Sequence, residues 1–520
     1  MMFELIREYM TTALSPKLKP YWKDLTLVEM PRLSAYNAAI IAFATFGSIT
    51  YGYAASIISS TLGQPTFTAY FGLDTADNAS ALTGAMNGLF QAGGLFGALL
   101  SAWAADQHGR CKAIFAYTII TIIGGALQTG SVHIGMFLVA RFITGLGIGG
   151  LLMLIPLWQS EVAPAAHRGL LVGLHGVSIL IGYSLSTWIG YGFFFVQNSA
   201  AQWRVPLAIQ IAPALILGCG ILLIPESPRW LVKNGYADAA NSVLLRIHRD
   251  PSDPENRFAQ EEFHQIQSQL AFEATLPSSW TSIATVPHYR KRAWIGFLTL
   301  FAGQFTGTLV INNYGPSLYA SLGYGPADTL LLSGGWITEG LIANVLNAYL
   351  LDRVGRRWLM AGGLAGCVVA LVGECICLAL FQNTDNKAGN SAAVFFLYLH
   401  LAVNGSCVDA STYVFASEIW PTHLRAKGFA LSCSGLFVGS LILLVSAPTG
   451  FATVGWKFYL VMVVVTTINV FVVALFFPET KGLALEEIGA RFGDTVTNPN
   501  VLHGEAQRLS PVSPAVGEKD

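Results

Sequence analysis

Twelve apolar stretches, each about 20 residues long, constrain this chain more than any other feature. A helix of that length spans the roughly 30 Å hydrocarbon layer of a bilayer. The stretches occupy 36–58, 82–104, 113–130, 133–157, 169–192, 205–224, 293–315, 328–351, 359–381, 392–415, 428–447 and 458–477. Lipid offers the backbone no hydrogen-bond partner, so segments of this kind are helical. Only 11% of the 520 residues are charged, against 53% apolar, whereas soluble chains carry roughly 25% charged residues. Too little polar surface remains to cover a soluble globule. The formal net charge of −1 supplies no basic stripe for phosphates, which excludes nucleic acid as a partner.

The expected fold class is an all-α membrane protein, with twelve transmembrane helices in two six-helix bundles. A lead over 1–35 precedes a first bundle over 36–225. A polar, helix-prone linker over 226–292 leads to a second bundle over 293–477, and a tail over 478–520 is expected to be disordered at its end. With both termini cytosolic, all of the 29 lysines and arginines fall on the cytosolic side except Arg141, Arg204, Lys387 and Lys457, the bias that sets orientation. Asn78-Ala79-Ser80 then lies in an outside loop, where Asn78 is a reachable glycosylation acceptor. The first apolar run begins near Tyr36, behind a basic lead, too far from Met1 for a cleavable signal. Six of the seven cysteines fall in apolar stretches and Cys111 in a short polar turn; all are expected to be core packing rather than a disulfide framework.

The two halves repeat. Asp106-Gln107-His108-Gly109-Arg110 recurs as Asp352-Arg353-Val354-Gly355-Arg356, Glu161-Val162-Ala163-Pro164 as Glu418-Ile419-Trp420-Pro421, and Pro225-Glu226-Ser227-Pro228-Arg229 as Pro478-Glu479-Thr480-Lys481-Gly482. Transporters built from such repeats place their substrate site between the halves, near the midplane.

These motifs stand with Arg141-Phe142-Ile143-Thr144-Gly145, Pro156-Leu157-Trp158-Gln159-Ser160-Glu161 and Trp203-Arg204-Val205-Pro206. Together they resemble the sugar porter family of the major facilitator superfamily, over almost the full chain. Tyr51-Gly52-Tyr53 followed by Gly63-Gln64-Pro65 is similar to fungal members. The resemblance implies a monomeric carrier in the plasma membrane that opens alternately to each side, with no cofactor and no catalytic chemistry. Its partners would be the lipid bilayer, a sugar or polyol and, in a coupled carrier, protons.

Asp106, Arg110, Glu161, Arg168, Glu226 and Arg229 fall at cytosolic helix ends, as do Asp352, Arg356, Glu418, Arg425 and Glu479. Carboxylate–guanidinium pairs there are expected to latch helix ends together while the inside is closed and to part as it opens. Arginine suits the task because its planar fork binds a carboxylate through two parallel bonds. His108 and Cys111 nearby match no zinc-ligand spacing.

Inside the apolar stretches the charged residues are Arg141, Glu339, Glu374 and Asp409, and buried charge in lipid is expensive enough to mark function. Proton symporters of the resembled family carry an aspartate after a Gly-Tyr pair in helix 1, opposite the helix-4 arginine. Here Gly52-Tyr53 is followed by Ala54 while Arg141 remains. Facilitated diffusion follows from that loss; the alternative is proton coupling through Glu339 or Asp409. Glu374 is expected to be a carboxyl bonded to a neighbouring helix, and His175 a satisfied core residue. Arg141 is expected to pair with one of the acids or with backbone carbonyls.

A sugar needs amides and hydroxyls for its ring of OH groups and an aromatic face for its C–H side. By the resemblance, Gln304, Asn312, Asn313, Tyr314 and Tyr413 fall in the substrate region, with Asp409 and Glu339 as candidate acids. Gly176, Gly303 and Leu309 stand where the family places polar side chains, and Phe437 and Ser440 replace its helix-11 Trp and Asn. Each lost buried bond costs on the order of 1 kcal/mol, so the substrate is expected to be another sugar or polyol, or a quinate-like compound or secondary metabolite. A non-transporting sugar sensor is the alternative from another class; the short tail speaks against it.

Overall fold

The computed structural model describes residues 34–493 apart from 165–167, 197–198, 250–252, 254, 383, 385 and 482–484. The N-terminal lead up to residue 33 and the tail from 494 lie outside the described residues. All regular structure among the described residues is helical. Eleven stretches are long and apolar enough to cross a membrane, but the last, Thr422–Phe476, has 55 residues and would measure about 80 Å as one helix. It turns instead at Gly455, whose φ is 56°.

Twelve crossings result among the described residues. They are α1 (Ala35–Leu62), α2 (Ala79–His108), α3 (Arg110–Thr129), α4 (Ile134–Val162), α5 (Arg168–Phe194), and α6 (Ser199–Ile209 continuing as Ile211–Gly220). In the second half they are α7 (Pro287–Ser321), α8 (Pro326–Val354), α9 (Arg356–Phe381), α10 (Lys387–Glu418), α11 (Arg425–Val454) and α12 (Tyr459–Phe476). The apolar pattern located all twelve. It placed α6 several residues late, because Trp203 and Arg204 belong to the helix and its last expected residues form a turn. Pro213 lacks the N–H that would bond to Ile209, which accounts for the break inside α6.

Without a hydrophobic drive between helices in lipid, close packing relies on small residues. The α2–α4 contact is built that way: Gly93 of α2 and Gly145 of α4 each leave no room for a Cβ against the other helix's backbone, at Phe142 and Phe90. Gly52 of α1 likewise lies against the Ile179 carbonyl of α5. Between the halves, α2 runs along α11 through Gly88 on Leu441 and Val445 and Gly94 on Phe437. The α5–α8 contact is pinned by Trp188 Nε1 donating to Thr338 Oγ1 at 3.0 Å.

The seven cysteines are all free thiols, and Cys407, though half-buried, packs against the core; Cys219 departs from the expected core role, being exposed on a helix whose outer surface is apolar.

Candidate functional site

One end of the molecule gathers the basic motifs. The α2–α3 turn is made by Gly109 (φ 93°) and the α8–α9 turn by Gly355 (φ 100°). A side chain at either glycine would meet the carboxylate of Glu226 or of Glu479. Those carboxylates occupy the start of the next helix. Glu226 accepts the backbone N–H groups of Arg110 (2.9 Å) and Cys111 (3.0 Å), and Glu479 those of Arg356 (2.9 Å) and Arg357 (3.2 Å). The first N–H groups of a helix have no internal partner, and its positive dipole end favours an anion. Burial nevertheless raises the pKa of Glu226 above the ordinary carboxyl value, against the opposing effect of its N–H donors and Arg110.

Two guanidinium–carboxylate pairs form, each within one half. Arg110 grips Glu161 through two bonds, Nε to Oε2 at 2.8 Å and Nη2 to Oε1 at 2.9 Å, with Asp106 at 3.7 Å. Arg356 reaches Glu418 at 3.0 Å. Both pairs join helices of one half. At this end Ala102 and Met153 pack directly on Ala430 of the other half, and a hydrogen-bonded link runs through the intervening helix Arg257–Glu273: Arg229 donates to Gln269 (3.0 Å), and Gln269 donates to Thr422 (2.9 Å). The sequence spacing shows which helix ends carry charge, while only the packing shows that each arginine's carboxylate comes from its own half. The side chains of Arg168 and Asp352 lie outside the described residues; Arg425 is engaged.

At mid-depth the two halves meet around Asp409. The α10 helix breaks at Val408 (φ −106°, ψ −50°) and restarts at Asp409, so the carboxylate stands at a helix N-terminus, where negative charge is favoured. Its Oδ2 accepts from Asn344 Nδ2 of α8 at 2.6 Å. Tyr413, one turn on, lies within electrostatic reach of Asp409, Tyr51, Tyr183 and Cys433. Tyr51 of α1 and Tyr183 of α5 are hydrogen-bonded by their side chains. Gln304 of α7 accepts from Ser440 of α11 at 3.5 Å, above the break that Gly307 (φ 85°) makes in α7. A Cβ on Gly176 would meet nothing within 4 Å, so that position is open room, whereas one on Gly303 would stand in van der Waals contact with Thr412 at 3.4 Å and Val408 at 3.9 Å. Phe437 packs against Gly94 and seals the α2–α11 contact.

Other candidate residues lie elsewhere. Tyr314 bridges the halves: its hydroxyl accepts from Asn87 of α2 (2.9 Å) and donates to the Leu444 carbonyl of α11 (2.7 Å). Asn87 also accepts from Arg141 Nη2 at 3.4 Å. Arg141 finds carbonyls, as one of its two expectations had it: Met86 at 3.1 Å and Ala54 at 3.3 Å, with the Phe90 ring 4.0 Å below. Asn312 and Asn313 are buried, each with an unpartnered amide oxygen, and Asn313 donates to its own helix at Leu309. Glu339 faces Tyr319 and Tyr398, apart from Asp409. His175 pairs with Ser48 at 2.7 Å. Asn78 is exposed at the start of α2. Tyr183, Asn87 and Asn344 are uncharged polar residues inside apolar stretches, a signal that a search for charges passes over.

Twelve crossings in two repeated halves, enclosing a polar centre at mid-membrane, define a multi-pass membrane transporter. The chain belongs to the family described as "Sugar (and other) transporter", whose model matches residues 40–492. It is 31% identical over 468 residues to the MFS-type transporter criB of Aspergillus cristatus, covering 88% of this chain and 94% of that protein. It is 30% identical to a quinate permease of Neurospora africana, covering 89% and 90%. Among solved structures, the proton:xylose symporter XylE with 6-bromo-6-deoxy-D-glucose superposes with a TM-score of 0.74 at 22% identity, over 89% of this chain and 100% of XylE. That likeness establishes the fold.

Proposed function

We propose that this protein carries a small neutral hydroxylated solute, a monosaccharide or polyol, across the plasma membrane by exposing its centre alternately to either side. In this reading both termini are cytosolic, and the bundles over 36–225 and 293–477 move against each other about the centre. The paired ends at Arg110–Glu161 and Arg356–Glu418 keep each half rigid, and the contacts through Gln269 part and re-form.

The observation that supports the substrate class is the convergence of Tyr51, Tyr183, Tyr413 and the Asn344–Asp409 pair. Three hydroxyls, an amide and a carboxylate offer donors and acceptors to a ring of OH groups, and the tyrosine faces offer apolar contact to its C–H side. The quinate permease relative raises the possibility of an anionic substrate, but Asp409 brings negative charge to the centre. Arg141 is already engaged by Met86, Ala54 and Asn87. Among the described residues, a carboxylate would find no arginine at the centre other than this engaged one.

Uptake of labelled hexoses, pentoses, polyols and quinate into a yeast strain without hexose carriers tests the reading. A neutral solute is expected to enter, and Asp409→Asn to lower its uptake about tenfold, the loss of one charge-assisted bond. Entry of quinate alone would overturn the assignment.

A further inference from the structure

The molecule holds a second space, largely apolar in its lining, that the centre does not include. At the end opposite the basic motifs, a cavity of about 350 Å³ lies between the halves, within the size range of small-ligand pockets. Thr68 and Thr83 of the first half line it, with Tyr314, Glu374, Trp456 and Tyr459 of the second. Glu374 is only 2% exposed, and its Oε2 has no hydrogen-bond partner. Tyr319 and Tyr459 are 1% exposed, and both of their hydroxyls are also without partners.

These three groups belong together. Tyr459 of α12 and Tyr319 of α7 lie within electrostatic reach of Glu374 and of each other. Cys375 and Cys377 flank the carboxyl on its own helix. Glu339 of α8 and Tyr398 of α10 also lie within electrostatic reach of Tyr319. Among the described residues no cation answers the carboxyl: His400 of α10 has its Nε2 on the Thr306 carbonyl at 2.9 Å, and Lys457, in the turn before α12, is exposed.

A carboxylate buried without a partner is among the most expensive arrangements in a protein, and it is relieved by taking up a proton or a ligand with donors. Here the carboxyl borders a space large enough for several waters, so a proton has a route in and out. We propose that Glu374 is a proton-binding site loaded through this cavity from the outside face. The assignment rests on the carrier reading and deepens it, since it places an acid on α9 where α1 offers only Ala54. Tyr314 lines the same cavity and ties the halves together through Asn87 of α2, its hydroxyl held in place by the Leu444 carbonyl of its own half. The charge on Glu374 therefore changes next to the contact that closes this end.

The test needs no transported solute, so its outcome stands apart from that of the uptake experiment. Full-length protein in detergent is treated with dicyclohexylcarbodiimide, which modifies protonated carboxyls in apolar surroundings, and the Glu374 peptide is quantified by mass spectrometry from about pH 5 to about pH 9. Modification of Glu374 is expected to be heavy at the acid end and to fall as a one-proton curve, unchanged when sodium replaces choline. Infrared difference spectra across the same range are expected to lose a protonated-carboxyl band in Glu374→Gln. Absence of modification, or modification independent of pH, would overturn the assignment. Protection by sodium at fixed pH would also overturn it, in favour of a metal cation.

Discussion

Removing the charge of Glu161 should cost far more than removing that of its repeat counterpart Glu418, although the sequence motifs are alike. Glu161 receives two bonds from Arg110, and the side chains are 11% and 8% exposed. Breaking a pair so buried leaves a charge without its partner, at about 3–5 kcal/mol. Arg110 retains Asp106 at 3.7 Å and the Ala105 carbonyl at 3.2 Å, which places Glu161→Gln near the lower bound, about 3 kcal/mol. Glu418 receives one bond from Arg356, at 3.0 Å, and one from the Thr480 hydroxyl, at 2.9 Å, which a glutamine oxygen can still accept, and is 24% exposed. Solvent screens that pair, so Glu418→Gln should cost about 1 kcal/mol. The difference of about 2 kcal/mol is roughly 30-fold in the unfolding equilibrium. Reversible unfolding in mixed micelles, with Arg110→Gln and the double variant completing a cycle, measures it. Equal losses, or a larger loss at Glu418, would refute the argument from burial.

Three further outcomes follow from other contacts. Gly52→Ala drives a methyl into the Ile179 carbonyl of α5, so the yield of folded protein should collapse, read by size-exclusion of the solubilised protein; a normal profile would mean that α1 and α5 are not in contact. Tyr314→Phe removes the bond from Asn87 that joins the halves and the bond to Leu444 that fixes the hydroxyl within its own half, each worth about 1 kcal/mol, and should raise the labelling rate of a cysteine placed at Thr83 by impermeant reagents. An unchanged rate would show that the clamp does not hold. Glu226 has a folded-state pKa raised by burial, so the folded state takes the proton before the unfolded chain does. Stability should therefore increase as pH falls through that raised value, and Glu226→Gln should flatten this limb; a limb that persists in the variant assigns it to another group.

Much of the architecture was legible in the chain because bilayer thickness fixes segment length and an apolar run needs no partner to be recognised. The basic ends were legible too, since Gly109 and Gly355 recur with the same neighbours. Partner choice was not. That Arg110 takes Glu161 from its own half, or that Glu226 caps a helix instead of pairing with an arginine side chain, depends on how helices distant in sequence pack. Asp409 and Tyr413 were visible as an acid and an aromatic at helix mid-depth, whereas Asn344 and Tyr183 acquire meaning only when α8 and α5 bring them to the centre. Tyr314 reads as a sugar ligand by its motif, yet its hydroxyl is saturated by Asn87 and Leu444.

The central claim is that the space around Asp409 and Tyr413 is reached in turn from both sides by a neutral hydroxylated solute. Counterflow in proteoliposomes tests it most directly, with purified protein, vesicles preloaded with an unlabelled sugar or polyol and a trace of the same solute labelled outside. The account predicts a transient overshoot of label for at least one neutral solute, reduced in Tyr413→Ala. Overshoot with quinate alone, or none with any neutral solute while the protein remains folded, would contradict it.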